Sequence, residues 1–139
     1  MVQLIVGNKG KGKTKHLLDK VNTQVLEATG NIVYLDKNSK HMYELNNKVR
    51  LINVSDYMIA TSDEFVGFLC GIISQDHDLQ MMFLDNFLSI AYLEDKDITP
   101  IIDKLEKLGT TFGIDFVLSV GVNEDELPEA LKEKVIVSL

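Results

Sequence analysis

The chain has 139 residues, of which 45% are hydrophobic and 25% charged, a balance typical of one globular domain covering residues 1–139. No apolar run approaches the roughly 18 residues that a membrane-spanning helix needs, and the N-terminal residues lack the pattern of a secretory signal peptide. The one cysteine, Cys70, excludes an internal disulfide, and its apolar surroundings predict a small buried residue. These features favour a cytoplasmic protein with no membrane partner.

Charge is unevenly distributed along the chain, whose net charge is −7. Residues 1–50 contain nine Lys/Arg and four Asp/Glu, a net +5, whereas residues 51–139 contain five and seventeen, a net −12. The overall acidic balance argues against a nucleic-acid partner. The positive charge of the first half is concentrated in one short cluster, which calls for an anion: Lys9, Lys11, Lys13 and Lys15.

Apolar patterning predicts strands that alternate with helices. In chain order, we expect a strand (2–6), a helix (17–26), two strands (32–35, 49–54), a helix (65–73), a strand (81–84), a helix (101–108), a strand (116–118), a short helix (127–134) and a strand (135–137). Such alternation predicts an α/β fold with three layers: a mostly parallel sheet of five or six strands, with helices on both faces.

Turn and capping residues predict the boundaries of these elements. We expect Gly30 to end the first helix and Ser62 to cap the second. Pro100 suits the first turn of the third helix, and Gly109 lies near its end. The polar stretch 37–48 is interpreted as a loop or a hairpin, and the strand after it as one nearer to an edge of the sheet.

A glycine- and lysine-rich turn follows the first strand and opens the first helix. It fits G-x-x-x-x-G-K-[ST] at every fixed position, as Gly7-Asn8-Lys9-Gly10-Lys11-Gly12-Lys13-Thr14. Its glycines let backbone N–H groups face inward, and with the helix N-terminus these form a concave anion site. We expect the segment, with Lys15, to bind ATP: Lys13 reaches the β- and γ-phosphates, and Thr14 ligates Mg²⁺. The alternative is a solvent-exposed turn.

A second acidic site is predicted at Asp85, which directly follows an apolar strand at residues 79–84. A carboxylate in this position holds Mg²⁺. The next residue is Asn86, whose amide can hydrogen-bond water but cannot accept its proton at neutral pH. Hydrolysis is therefore expected to be slow. Glu94 and Asp95 are alternatives for the missing base, although a solvated acidic face is the simpler interpretation.

Together these motifs resemble the P-loop NTPase superfamily, on the side that has an added strand between the P-loop strand and the Mg²⁺-binding strand. In that resemblance, residues 7–14 are the Walker A motif and residues 79–85 the Walker B strand. Residues 116–119 are similar to the sensor strand of AAA+-type ATPases, which implies that Ser119 contacts the γ-phosphate or the water; a plain strand-end serine is the alternative. The chain also resembles short uncharacterised bacterial ATP-binding proteins, and no AAA+ lid domain is expected.

Related families fit the sequence less well. Partition and cell-division ATPases carry a signature lysine directly after the first glycine of the loop, where this chain has Asn8. Thymidine kinases share a comparable opening but need several cysteines for a zinc module. Nucleoside monophosphate kinases need several arginines, and Arg50 is the only arginine here.

We therefore expect an ATP- and Mg²⁺-binding protein whose hydrolysis is slow or is stimulated by a protein partner. Four residues are the predicted catalytic set: Lys13, Asp85, Asn86 and Ser119. Any arginine finger is either Arg50 or comes from the partner. The alternative is a nucleotide-dependent switch or interaction module without turnover, in which nucleotide orders the loops after Asp36 or Asp85. A small-molecule kinase is the third possibility.

Overall fold

A six-stranded sheet in which every pairing is parallel forms the centre of the protein, and the computed structural model describes all residues 1–139. The strands are β1 (Val2–Val6), β2 (Asn31–Asp36), β3 (Val49–Asn53), β4 (Leu79–Leu84), β5 (Asp115–Val120) and β6 (Val135–Ser138). The α-helices are α1 (Lys13–Glu27), α2 (Ser62–Ser74), α3 (Phe87–Ile90), α4 (Thr99–Phe112) and α5 (Glu129–Lys132). The predicted α/β class and parallel sheet are confirmed. None of these helices has the length and apolar character needed to cross a membrane.

Both faces of the sheet are covered, because alternate residues of a strand point to opposite faces. On one face, Leu17 and Val21 of α1 pack with Ile5 and Phe83 in a cluster of 11 buried residues. On the other face, the apolar stripes of α2 and α4 join a cluster of 27 buried residues. Helix α1 therefore covers the first face of the sheet.

Polar residues of neighbouring strands meet at the carboxyl edge of the sheet. The strand order is β3-β2-β4-β5-β1-β6, so β5 lies between β4 and β1. Leu35 pairs with Leu84, and Leu84 with Leu118. The residues that follow them in the chain therefore lie side by side: Asp36, Asp85 and Ser119. Because β1 is parallel to these strands, Gly7 follows it at the same edge. In open α/β sheets, ligands bind outside this edge.

Several helix boundaries differ from the predicted ones. The cap of α2 is Thr61 and not Ser62, because the Thr61 hydroxyl accepts a hydrogen bond from the Glu64 backbone at 3.1 Å. Helix α1 ends at Glu27, ahead of Gly30. Helix α4 ends at Phe112 and is followed by a left-handed glycine, so Gly109 lies near its end as predicted.

Other differences concern short elements and exposure. The stretch 37–48 contains only a 3₁₀ turn at Met42–Glu44 and no hairpin, while β3 is an edge strand as predicted. The last helix is shorter than predicted, and α3 was not predicted. The prediction that Cys70 is buried is wrong, because α2 turns Leu69 inward and leaves the next side chain exposed.

Glu106 on α4 joins the first strand to the residue just before the last strand. Its Oε1 accepts hydrogen bonds from the Val2 backbone N–H at 3.0 Å and from Lys134 Nζ at 2.8 Å. Burial opposes ionisation of Glu106, but these two hydrogen bonds and the positive charges of Lys134 and the N-terminus together outweigh it and hold its pKa below the ordinary value. A carboxylate with a lowered pKa stabilises the folded state above its unfolded pKa, and this contribution is lost as the pH falls through the folded pKa.

Replacing this carboxylate is therefore expected to have a pH-dependent effect. Glu106→Gln should lower the free energy of unfolding by about 1 kcal/mol near pH 7, and the difference should shrink as the pH falls below about 4.3. Urea denaturation at several pH values measures this, with Glu133→Gln at an exposed position as the control. A loss that stays constant with pH would contradict the assignment.

Candidate functional site

The glycine-rich segment connects β1 to α1 as an exposed loop. Gly10 and Gly12 adopt φ angles of 84° and 92°, which side-chain-bearing residues rarely adopt. Gly12 is also the N-cap of α1, and no side chain caps the helix there. The backbone N–H groups of the first turn are therefore free to bind an external acceptor.

A buried carboxylate, Asp85, forms the centre of a hydrogen-bond network beside this loop. Only 1% of its surface is exposed. Its Oδ2 accepts a hydrogen bond from the Tyr34 hydroxyl at 2.8 Å, and its Oδ1 accepts from the Ser119 hydroxyl at 2.5 Å and from the Asn86 backbone at 2.9 Å. No basic side chain forms an ion pair with Asp85. A buried carboxylate without a cation normally needs such a set of donors.

Asp36 is a second buried carboxylate, one strand away. Its Oδ1 accepts from the Lys37 backbone at 2.6 Å and from the Asn86 side-chain amide at 2.9 Å. The pKa of Asp36 is raised, mainly by burial and also by the negative charge of Asp85. The two hydrogen bonds lower the pKa but do not cancel this rise. Asn86 contacts both acids and is held in the left-handed conformation, with φ 52°. Residues held in this backbone conformation cluster at functional sites.

Lys13 links the loop to the buried network. Its Nζ donates to the Asn8 carbonyl at 3.1 Å, so the side chain folds back over the loop. Burial lowers the pKa of Lys13, and the negative charge of Asp85 opposes that lowering. The ammonium group is thus within the field of Asp85 without being bound to it, and it can move to an anion placed between them.

The structure brings the predicted Ser119 into contact with two consecutive predicted residues, Asp85 and Asn86. Thr14 lies partly buried in the first turn of α1, and no hydrogen bond joins it to Asp85. The other basic side chains of the cluster point to solvent; Lys15 forms an exposed ion pair with Asp19 at 3.4 Å.

The alternative acids are not part of this network. Glu94 and Asp95 are exposed on the segment after α3, and neither is hydrogen-bonded to Asp85 or Asn86. Their position matches the solvated acidic face that was the simpler interpretation.

Sequence reasoning missed the contribution of Tyr34, and it assigned Asp36 only to a loop boundary. One signal could have identified them. Tyr34 and Asp36 are at positions i and i+2 of a buried strand, so both side chains point to the face on which α1 packs. The structure places this face of β2 next to Asp85, because Tyr34 pairs with Phe83.

The Tyr34 hydroxyl is expected to contribute to stability as a buried donor. Burial and the charge of Asp85 raise the pKa of Tyr34 well above its ordinary value, so the phenol keeps its proton at neutral pH. Tyr34→Phe leaves Oδ2 of Asp85 without this donor, and we expect it to lower the free energy of unfolding by about 2 kcal/mol. Tyr43→Phe is the matched control, since Tyr43 is 91% exposed. Equal urea midpoints for the two variants would show that the hydrogen bond adds no stability.

No protein-family model matches this chain, and no curated protein shows significant similarity to it. The interpretation of the site therefore depends on its own geometry.

Proposed function

We propose that the protein binds ATP with Mg²⁺ at the carboxyl edge of the sheet and hydrolyses it slowly, or with the help of a partner protein. The observation that carries the proposal is that Lys13 and the uncapped first turn of α1 lie at the same edge of the sheet as the buried Asp85. A site with a cationic and donor-rich side near a buried carboxylate suits a phosphate chain together with its metal ion.

Each part of the loop has a role in this proposal. Backbone N–H groups of residues 8–12 and of the first turn of α1 bind phosphate oxygens, and Lys13 exchanges the Asn8 carbonyl for the β- and γ-phosphates. Thr14 and Asp85 are the residues that would hold Mg²⁺. Both offer oxygen donors, which Mg²⁺ prefers, and the ion would neutralise charge on the phosphates.

The strand order supports the same proposal. The strand that precedes the loop, β1, is separated by β5 from β4, the strand that ends at Asp85. This is the order expected from the resemblance to P-loop NTPases with an added strand. The order places Ser119, at the end of β5, between the loop and Asp85.

The position of Arg50 supports slow or stimulated turnover. It lies on β3, at the edge of the sheet that is separated from β1 by the three strands β2, β4 and β5. A side chain there is too far from the loop to stabilise charge on the γ-phosphate. An arginine supplied by a partner protein would fill that role.

A nucleotide-dependent switch without turnover is the second candidate. It is favoured by the bonding of Asp85, whose two oxygens are both held by protein donors. A ligand that attracts Asp85 would disturb Asn86 and thereby the segment that follows it. Single-turnover hydrolysis by the isolated protein separates the two candidates.

Titration calorimetry with ATP, ADP and AMP, each with and without Mg²⁺, tests the proposal. We expect binding of ATP and ADP that is strengthened by Mg²⁺, and much weaker binding of AMP, because the loop contacts the β-phosphate. Binding of all three nucleotides with equal affinity would show that the loop does not recognise the phosphate chain. The proposal would be overturned if no binding were detected at ATP concentrations of about 1 mM, where even a weak site would bind.

A further inference from the structure

Asp36 is a buried acid to which the proposed ATP site gives no role. It is 2% exposed and ends β2 beside Asp85, at the edge of the sheet where the loop lies. Two neighbouring buried carboxylates destabilise a fold, because each disfavours the ionised form of the other. A second carboxylate in such a place therefore calls for an explanation beyond packing.

The two oxygens of Asp36 are in different situations. Oδ1 accepts both hydrogen bonds, from Lys37 and from Asn86. Oδ2 accepts none from the protein. Since no fully enclosed side-chain nitrogen or oxygen lacks a hydrogen-bond partner, Oδ2 is an atom that reaches solvent. The carboxylate is thus fixed through one oxygen, while the other has no protein donor and is not fully enclosed.

Asp85 differs from Asp36 in this respect. Its Oδ2 is bound by Tyr34, and its Oδ1 by Ser119 and Asn86. Of the two buried acids, only Asp36 has an oxygen without a protein donor. Asn86 holds them in a fixed relation, because its backbone N–H binds Asp85 while its side-chain amide binds Asp36.

We propose that Asp36 is the catalytic base, whose Oδ2 binds and deprotonates the water that attacks the γ-phosphorus. This inference rests on the proposed ATP site. In the step, the water oxygen forms a bond to phosphorus and its proton passes to Oδ2. The bond between the γ-phosphorus and the bridging oxygen breaks, and its electron pair leaves with ADP. Asn86 is then a positioning residue that orients the base.

The proposal explains how the chain can hydrolyse ATP although the residue after Asp85 cannot accept a proton. The carboxylate comes from the adjacent strand β2. Asn86 does not accept the proton; its side-chain amide binds the carboxylate of Asp36. The exposed acids Glu94 and Asp95 lack any comparable anchoring to the network.

Asp36→Asn is the variant that tests this inference. An asparagine oxygen can still accept the hydrogen bonds from Lys37 and Asn86, so the network is preserved while the base is lost. Asp103→Asn, on the exposed surface of α4, is the control for the loss of one negative charge. The measurements are calorimetric binding of Mg·ATP, single-turnover hydrolysis with enzyme in excess, and the melting temperature without nucleotide.

We expect Asp36→Asn to bind Mg·ATP within about threefold of the wild type and to hydrolyse it at least about 100-fold more slowly. Its melting temperature should rise, because one of two neighbouring buried negative charges is removed. Asp103→Asn should match the wild type in binding and hydrolysis.

Two sets of results would overturn the inference and leave the ATP site standing. One is hydrolysis by Asp36→Asn at the wild-type rate, and the other is binding by the wild type without any single-turnover hydrolysis. A lower melting temperature together with lost binding in Asp36→Asn would assign the residue a structural role and also overturn it. Failure of the wild type to bind Mg·ATP would instead reject the proposed function itself.

Discussion

Replacing Lys13 by alanine is expected to weaken binding of Mg·ATP by about 100-fold or more, equivalent to about 3 kcal/mol. The side chain makes one hydrogen bond, to the Asn8 carbonyl. Under the proposed function, this bond is exchanged for charge-assisted contacts to phosphate. Burial lowers the pKa of Lys13, and the negative charge of Asp85 opposes that lowering. Calorimetric titration of the variant with Mg·ATP measures the loss.

The matched control for this experiment is Lys107→Ala, which removes the same charge from the exposed surface of α4. It should bind Mg·ATP with wild-type affinity. The melting temperature of Lys13→Ala without nucleotide should stay close to that of the wild type, since the lost hydrogen bond is exposed. Equal weakening by both variants would mean that the effect is one of net charge and not of the loop.

Gly30→Ala is expected to lower the free energy of unfolding by about 3 kcal/mol. A Cβ at Gly30 would lie 2.3 Å from the backbone oxygen of Asp78, which already accepts a hydrogen bond from Asn31. The Gly30 N–H donates to the Gln80 side chain at 2.8 Å, so the backbone cannot move away without losing that bond. Relief of the clash would disturb the start of both β2 and β4.

Gly67→Ala provides a control of opposite sign. Gly67 lies in α2, where a Cβ would meet no atom within 4 Å. Alanine favours the helix over glycine, so this variant should gain about 0.5 to 1 kcal/mol. Urea denaturation of the two variants measures both effects. A Gly30→Ala protein as stable as the wild type would show that the contact with Asp78 relaxes freely.

The strands were predictable from sequence because continuous apolar runs leave few alternatives in an alternating chain. The loop before α1 was placed correctly for a local reason, since its glycines and Lys13 lie within eight consecutive residues. Glycine misled the prediction of one helix end. Gly30 is there for close backbone approach to Asp78, and such a contact between distant residues leaves no local pattern.

The site was predictable only in part. Asp85 and Ser119 were identified because each follows a recognisable apolar run. Asn86 was recognised as a poor base, but its link to Asp36 depends on β2 and β4 being neighbours, which the linear sequence does not state. Tyr34 was read as part of a strand core, and its hydroxyl partner again lies across that pairing.

The pairing of β1 has a consequence for the time at which the site forms during synthesis. The strand partners of β1 are β5 and β6, and Val2 pairs with Phe116. The loop motif leaves the ribosome early, yet the strand that holds it has no neighbour until β5 emerges. Contacts between such distant segments form late and slowly. A nascent chain that stops before β5 would therefore carry the complete motif and still lack the neighbouring strands that fix the loop in place.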